Sequence, residues 1–161
     1  MELRSVEELM DLLSTGQGVR DAPGRRAPGR GAPGVDVHEH ALRTAALLRR
    51  SRPADKELQV TGLVHPVGRL LRPADPAGGA ARAADAVRPL LGARVAWLVG
   101  RQPWPGPAEH DDLVRLRQAA EDARTGAFDA GVLEDWRTVL ELVAARVSPL
   151  GTAGRDAYGG R

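Results

Sequence analysis

The chain has 161 residues, of which 42% are hydrophobic, 27% charged and 3% aromatic, with 23 basic against 21 acidic groups and no cysteine. That length suits one domain, the near balance of charge excludes a dominant basic field for nucleic acid, and the missing thiols exclude disulfides, thiol catalysis and thiolate-bound metal. Alanine alone supplies 26 residues, beside one Phe, one Tyr and three Trp, so a core must be assembled from Leu, Val and Ala, which suits closely packed helices better than a sandwich of sheets.

In chain order, Ser5 with Glu8 reads as a capping box, and Val6, Leu9, Met10, Leu12 and Leu13 give the following turns an apolar side. This predicts a short N-terminal helix over 6–14, within residues 1–15, whose expected role is packing. Residues 16–34 turn to Gly, Pro and Arg, with Ala-Pro-Gly at 22–24, 27–29 and 32–34. Such a repeat neither holds a helix nor buries apolar area and reads as a flexible linker. Its arginines Arg20, Arg25, Arg26 and Arg30 have no aromatic residues between them to stack on bases. Asp36 with Glu39 is a second capping signal, and Val37, Ala41, Thr44, Ala45 and Leu48 recur at helical spacing up to Arg50, with His40 on the same inward face and His38 off it. A helix from about Ala54 to Leu71 is expected to bend at Pro66, with Leu58, Thr61, Gly62 and His65 on one face. Further helices are expected over 79–91, ending at Gly92, over 94–101 with Val95, Leu98 and Val99 inward, from Asp111 or Asp112 to Arg124, and over 132–147 with Leu133, Trp136, Leu140, Val143 and Val147 as an apolar stripe. Pro103, Pro105 and Pro107 forbid regular structure between the fifth and sixth of these, and residues 148–161 read as a disordered tail. No segment alternates as a strand does. The expected class is all-α.

Two stretches, His40-Ala-Leu-Arg-Thr-Ala45 and Thr61-Gly-Leu-Val-His65-Pro-Val-Gly-Arg-Leu-Leu71, resemble the H…HD helices of the HD-domain superfamily. They are most similar to the "HALxTA … ALLHDIGHLL" pattern of the phosphonate-degrading HD oxygenases, relatives of myo-inositol oxygenase. Downstream, Val87-Arg-Pro-Leu-Leu-Gly92 resembles that branch's "LRPLLG", residues 95–99 its next helix, and the segment from Leu116-Arg117 through Ala123-Arg124 its "LRRWDDxAK". The resemblance covers roughly residues 35–147 and implies an HD-like bundle of about six helices. It also implies a cluster of His and Asp, because imidazole nitrogens and carboxylate oxygens hold the family's metal pair.

Compared position by position, the resemblance keeps His40 and His65 and loses the rest. Pro66 stands where the bridging Asp belongs, Arg69 where the His ending "HDIGH" belongs, Gly79 and Gln102 at two further His positions, and Ala120 at the closing Asp. Glu121 or Asp122 would replace that Asp if the register slips. Two imidazoles are too few donors for a metal pair, and a permanent cation at Arg69 opposes one. The resemblance therefore implies the fold with a degenerate metal site, and no cofactor is expected.

Other constellations stay open at this level. His38, Glu39 and His40 are adjacent, but residues two apart on a helix point to different sides. His40 and His65 are either core histidines or acid, base and ligand donors in one cavity. Arg69 binds an anion or pairs with Asp75 or Glu57. Trp97 and Trp104 wall a ligand or belong to the core, as Trp136 does. Ser148, Thr152 and His110 form no nucleophile arrangement, and the glycines of 16–34 form no phosphate loop. No apolar run reaches the roughly 18 residues of a membrane span, and the N-terminus lacks a signal-peptide plan, so a cytoplasmic protein is expected. The functional expectation is a cavity that binds a small organic molecule or performs metal-independent chemistry on it. His40 and His65 would move protons there, and Arg69, Gln102, Trp97 and Trp104 would contact the ligand. The Arg-over-Lys and Ala, Gly and Pro bias suggests a GC-rich coding sequence, and small divergent proteins of this kind often serve specialised pathways, so a biosynthetic role is expected by association alone. The alternatives are a noncatalytic interaction or regulatory subunit, with the linker as the surface for a protein partner, and below it a metal-dependent phosphohydrolase or diiron oxygenase.

Overall fold

The computed structural model describes residues 2–21, 35–104, 110–126 and 128–147. Among them are eight α-helices: α1 (Val6–Ser14), α2 (Val37–Ser51), α3 (Lys56–Val64), α4 (Val67–Leu71), α5 (Gly79–Leu91), α6 (Ala93–Gly100), α7 (Asp111–Thr125) and α8 (Arg137–Val147). The protein is all-α apart from a two-residue antiparallel ladder, β1 (Arg20–Asp21) against β2 (Val35–Asp36), in which Arg20 faces Asp36 and Asp21 faces Val35. Both capping signals are used: Ser5 Oγ accepts from Glu8 N at 3.0 Å and Asp36 Oδ2 from Glu39 N at 2.9 Å.

The N-terminal helix packs on the rest of the bundle: Leu3, Leu9, Met10 and Leu13 are buried in the same core as α5 and α8, and Leu3 N donates to Ala86 O at 2.9 Å. Two boundaries differ from those expected. Residues 16–21 are held by bonds to the start of α2 that composition does not reveal: Gly18 N donates to Asp36 Oδ1 at 2.6 Å and Val37 N to Val19 O at 2.8 Å. The Ala-Pro-Gly repeats within 22–34, Pro105 and Pro107, and the tail at 148–161 lie outside the described residues. The second difference is at Pro66. The helix ends there instead of bending, because Pro66 offers no N–H to the carbonyl of Gly62, and the chain restarts as α4.

The main core joins α1, α2, α3, α5, α6 and α8 through residues such as Leu42, Leu63, Val87, Leu91, Trp136 and Leu140. A smaller cluster of Leu48, Leu58, Leu98, Trp104 and Leu116 lies between α2, α3, α6 and α7. Two glycines set the crossings. A Cβ at Gly62 would meet Leu48 Cδ1 at 2.6 Å and Thr44 Cγ2 at 3.1 Å, so α2 and α3 touch closely there; a Cβ at Gly68 would meet Gly79 O at 1.8 Å, so α4 and the start of α5 meet backbone to backbone. At the other end of α3, Arg94 of α6 ties three helices together. Its guanidinium donates to both oxygens of Asp55, the α3 N-cap, at 2.8 and 2.9 Å, to Glu57 at 3.0 Å and to Asp112 of α7 at 2.8 Å. The bonds from Arg94, with the backbone bond from Leu58 behind them, hold the Asp55 carboxyl below its ordinary 3.8 despite the opposing effect of burial.

Two predictions follow from these contacts. Gly68→Ala should lower stability by about 2 kcal/mol or more, because backbone must move to admit the methyl. Gly79→Ala should lie within about 0.5 kcal/mol of wild type, its nearest neighbour for a Cβ being 3.9 Å away; equal losses in denaturant unfolding would contradict this crossing. Asp55→Asn keeps a capping group and removes the ion pair, whose value is held to about 1 kcal/mol because the Arg94 side chain is 38% exposed. A carboxyl with a depressed folded value stabilises above its unfolded value and loses that contribution as pH falls. The variant should therefore be less stable above about pH 5, and the difference should vanish in acid unfolding below the ordinary 3.8.

Candidate functional site

Six stretches of the chain converge on one cleft: the start of α2, the end of α3, the starts of α4 and α5, the segment after α6, and the second half of α7. Its volume is about 420 Å³, within the roughly 300–1,000 Å³ of small-molecule sites. His40, Pro66, Val37 and Trp104 are its buried floor, His65, Arg69 and Gln102 are half-buried, and Ala77, Pro103 and Arg124 are exposed at its mouth. All seven positions compared above, His40, His65, Pro66, Arg69, Gly79, Gln102 and Ala120, line it together.

The two imidazoles meet edge to face, with ring centroids 5.4 Å apart. His40 is 5% exposed, and its Nε2 lies 2.8 Å from the carbonyl oxygen of Ala120 on α7. A carbonyl only accepts, so Nε2 of His40 carries the proton, and in the neutral ring the lone pair is on Nδ1. His65 is arranged the opposite way. Its Nδ1 lies 2.6 Å from Gly62 O, the acceptor that Pro66 leaves without its backbone donor, so the neutral ring has its lone pair on Nε2. Gln102 fixes the backbone beside this ring, its Nε2 donating to His65 O at 2.9 Å and Val99 O at 3.2 Å.

Trp104 stands against His65 with centroids 5.5 Å apart and donates its indole N–H to Leu98 O at 2.9 Å. Its φ of +56° is a left-handed conformation, which costs a non-glycine residue on the order of 1 kcal/mol and is offset by burial of the ring. Trp97 is not at the cleft. It lies 40% exposed on the outer side of α6, between the His110 ring at 5.0 Å and the Arg101 guanidinium at 4.8 Å. His38 is also elsewhere: its Nδ1 lies 3.3 Å from Leu13 O, joining α2 to the end of α1. Asp75 pairs with Arg82 at 3.2 Å and Glu57 with Arg94 at 3.0 Å.

Sequence reasoning missed Arg124. It follows Ala120 by four residues on α7, so the two share a face, and both reach the cleft. That spacing was the available signal. Ala120, and neither Glu121 nor Asp122, faces the cleft; Glu121 is exposed and pairs with Arg117 at 3.7 Å, and Asp122 lies on the outer side of α7 beside Arg50 and Arg115. Among the described residues no three His, Asp or Glu side chains gather as metal donors. The described lining combines two imidazoles with Arg69 and Arg124 and has no carboxylate, a donor set that does not fit the metal pair that the resemblance implies. No helix among the described residues is long and apolar enough to cross a membrane. Comparison with known proteins finds no matching family model and no matching curated protein.

The hydrogen bonds predict opposite tautomers, which nitrogen-15 NMR of the imidazoles reads directly. In the neutral protein His40 should show a protonated Nε2 and His65 a protonated Nδ1. In Pro66→Ala the new backbone N–H competes for Gly62 O, and His65 should lose that preference. A protonated Nε2 on His65 in the wild type would contradict the geometry.

Proposed function

We propose that this chain is an HD-like helical domain whose metal-holding positions have been replaced and whose cleft binds a small organic molecule, on which His40 and His65 move protons without a metal. The observation that carries this reading is the convergence of the seven compared positions on one cleft. Positions matched from separate stretches of sequence, spanning 40 to 120, have no reason to share a cavity unless the resemblance reflects a common helix arrangement. The replacements then give the cleft its own chemistry. Opposite tautomers leave one lone pair on Nδ1 of His40 and one on Nε2 of His65, so one ring can accept a proton while the other, once charged, donates one. Gln102 spends its amide N–H groups on backbone carbonyls and positions His65. Trp104 supplies a buried aromatic surface next to the reacting groups.

A regulatory subunit that does not bind small molecules would have no use for an open volume beside one buried and one half-buried imidazole. Leu and Trp side chains would fill it. The cleft thus favours the binding reading over the interaction subunit, and the absence of lining carboxylates among the described residues opposes the metal-dependent hydrolase or oxygenase.

The decisive experiment compares unfolding and binding in the same variants. Fragments of varied charge are screened by ligand-observed NMR, and the best binder is titrated into wild type, His40→Ala and His65→Ala. Each variant should lose about 1–3 kcal/mol of binding free energy, the cost of an unpaired polar group, with a smaller loss of folding stability. Variants that unfold early yet bind normally while folded would assign both histidines to the core.

A further inference from the structure

Two residues outside the cleft are placed against their local preferences. Trp97, on the outer side of α6, is 40% exposed and belongs to neither hydrophobic cluster, although a large apolar ring is ordinarily covered. His110 stands at the N-cap of α7, where Ser, Thr, Asp or Asn would bond the first turn, and its side chain makes no capping bond. Each explains the other. The two rings meet with centroids 5.0 Å apart, a spacing at which aromatic pairs attract. The guanidinium of Arg101, the C-cap of α6, lies 4.8 Å from the same indole, within reach of a cation–π contact.

Arg101 and His110 are the two ends of the connection from α6 to α7, which reads Arg-Gln-Pro-Trp-Pro-Gly-Pro-Ala-Glu-His over 101–110. The prolines at 103, 105 and 107 have no backbone N–H to donate, so more of the holding falls to side chains. On the α6 side, Gln102 N donates to Val99 O at 3.3 Å, Trp104 N to Arg101 O at 3.0 Å and the Trp104 indole to Leu98 O at 2.9 Å. Trp104 keeps a left-handed φ of +56°, a conformation that persists only where its surroundings over-determine it. We infer that Trp97 is a positioning residue for the cleft: by engaging both Arg101 and His110 it fixes the two ends of the connection that carries Trp104, and so keeps the Trp104 ring against His65. One turn of α6 performs both tasks, with Leu98 O receiving the Trp104 indole on the inner side and Trp97 holding the ends on the outer side. This rests on the reading of the cleft as a small-molecule site, in which Trp104 is the aromatic surface beside His65.

The test is made on the full chain without ligand. In wild type, proton NMR should show cross-relaxation between the Trp104 indole and the His65 ring, whose centroids are 5.5 Å apart. Trp97→Ala and His110→Ala should each lose most of that signal and shift the His65 ring resonances. Trp97→Phe and His110→Phe keep a ring at the contact and should restore both. The Trp136 indole, buried in the main core, is the internal control and should not move. If Trp97→Ala folds poorly, the His110 pair decides, since it leaves α6 intact. A wild-type signal between Trp104 and His65 in both alanine variants would overturn the inference and leave the cleft reading intact, which the fragment titration of wild type tests separately. Loss of the signal together with a shift of Trp136, and no rescue by phenylalanine, would assign Trp97 to general stability and overturn the inference as well.

Discussion

The carbonyl of Gly62 has no backbone donor, because the residue four places on is Pro66, and much of the site follows from how that vacancy is met. An unpaired carbonyl at a partly buried helix end costs about 1–3 kcal/mol. The His65 imidazole removes the cost by donating Nδ1–H at 2.6 Å. One bond thus ends α3, fixes the ring's orientation and tautomer, and directs the chain into α4, where Arg69 is carried to the same cleft. The residue that replaces a metal-bridging carboxylate in the resemblance is also the residue that holds the neighbouring imidazole in place.

The helix crossings make the arrangement compact enough for the two imidazoles to meet. Gly62 lets α3 lie against Thr44 and Leu48 of α2, and one turn further along the same contact His40 faces His65. The polar groups on this seam satisfy themselves locally: Thr44 donates to His40 O at 2.7 Å and Thr61 to Glu57 O at 2.8 Å. Gly68 brings α5 against α4, so that Gly79 and Ala80 form a wall with no long side chain. At the far end of α3, the Arg94 cluster gathers Asp55, Glu57 and Asp112. The molecule therefore has an end joined by charge pairs and an end that stays open.

Much of this was legible in the sequence. The capping pairs Ser5 with Glu8 and Asp36 with Glu39 mark two helix starts, and the spacing that puts Val95, Leu98 and Val99 inward also puts Trp97 outward, although Trp97 was expected at the ligand. Other features carry no local signal. The ladder between Arg20–Asp21 and Val35–Asp36 is two residues long, too short for any periodicity, and depends on tertiary bonds to Asp36 and Val37. Docking of α1 depends on Leu3 and Leu9 meeting α5 and α8, which an amphipathic pattern permits without naming the partner. Pro66 was legible as an interruption but not as a stop. Deciding that required knowing that the preceding His takes over the orphaned carbonyl. Arg124 was legible only once Ala120 was known to face the cleft.

The central claim is that the cleft works without a metal, on the donor set its lining supplies. Elemental analysis of the full chain, purified without chelator and dialysed, tests it most directly. The account predicts iron, manganese and zinc each well below one equivalent per chain, with no gain in thermal stability when these ions are added. One or more equivalents retained through dialysis, and lost together with stability in His40→Ala or His65→Ala, would contradict it.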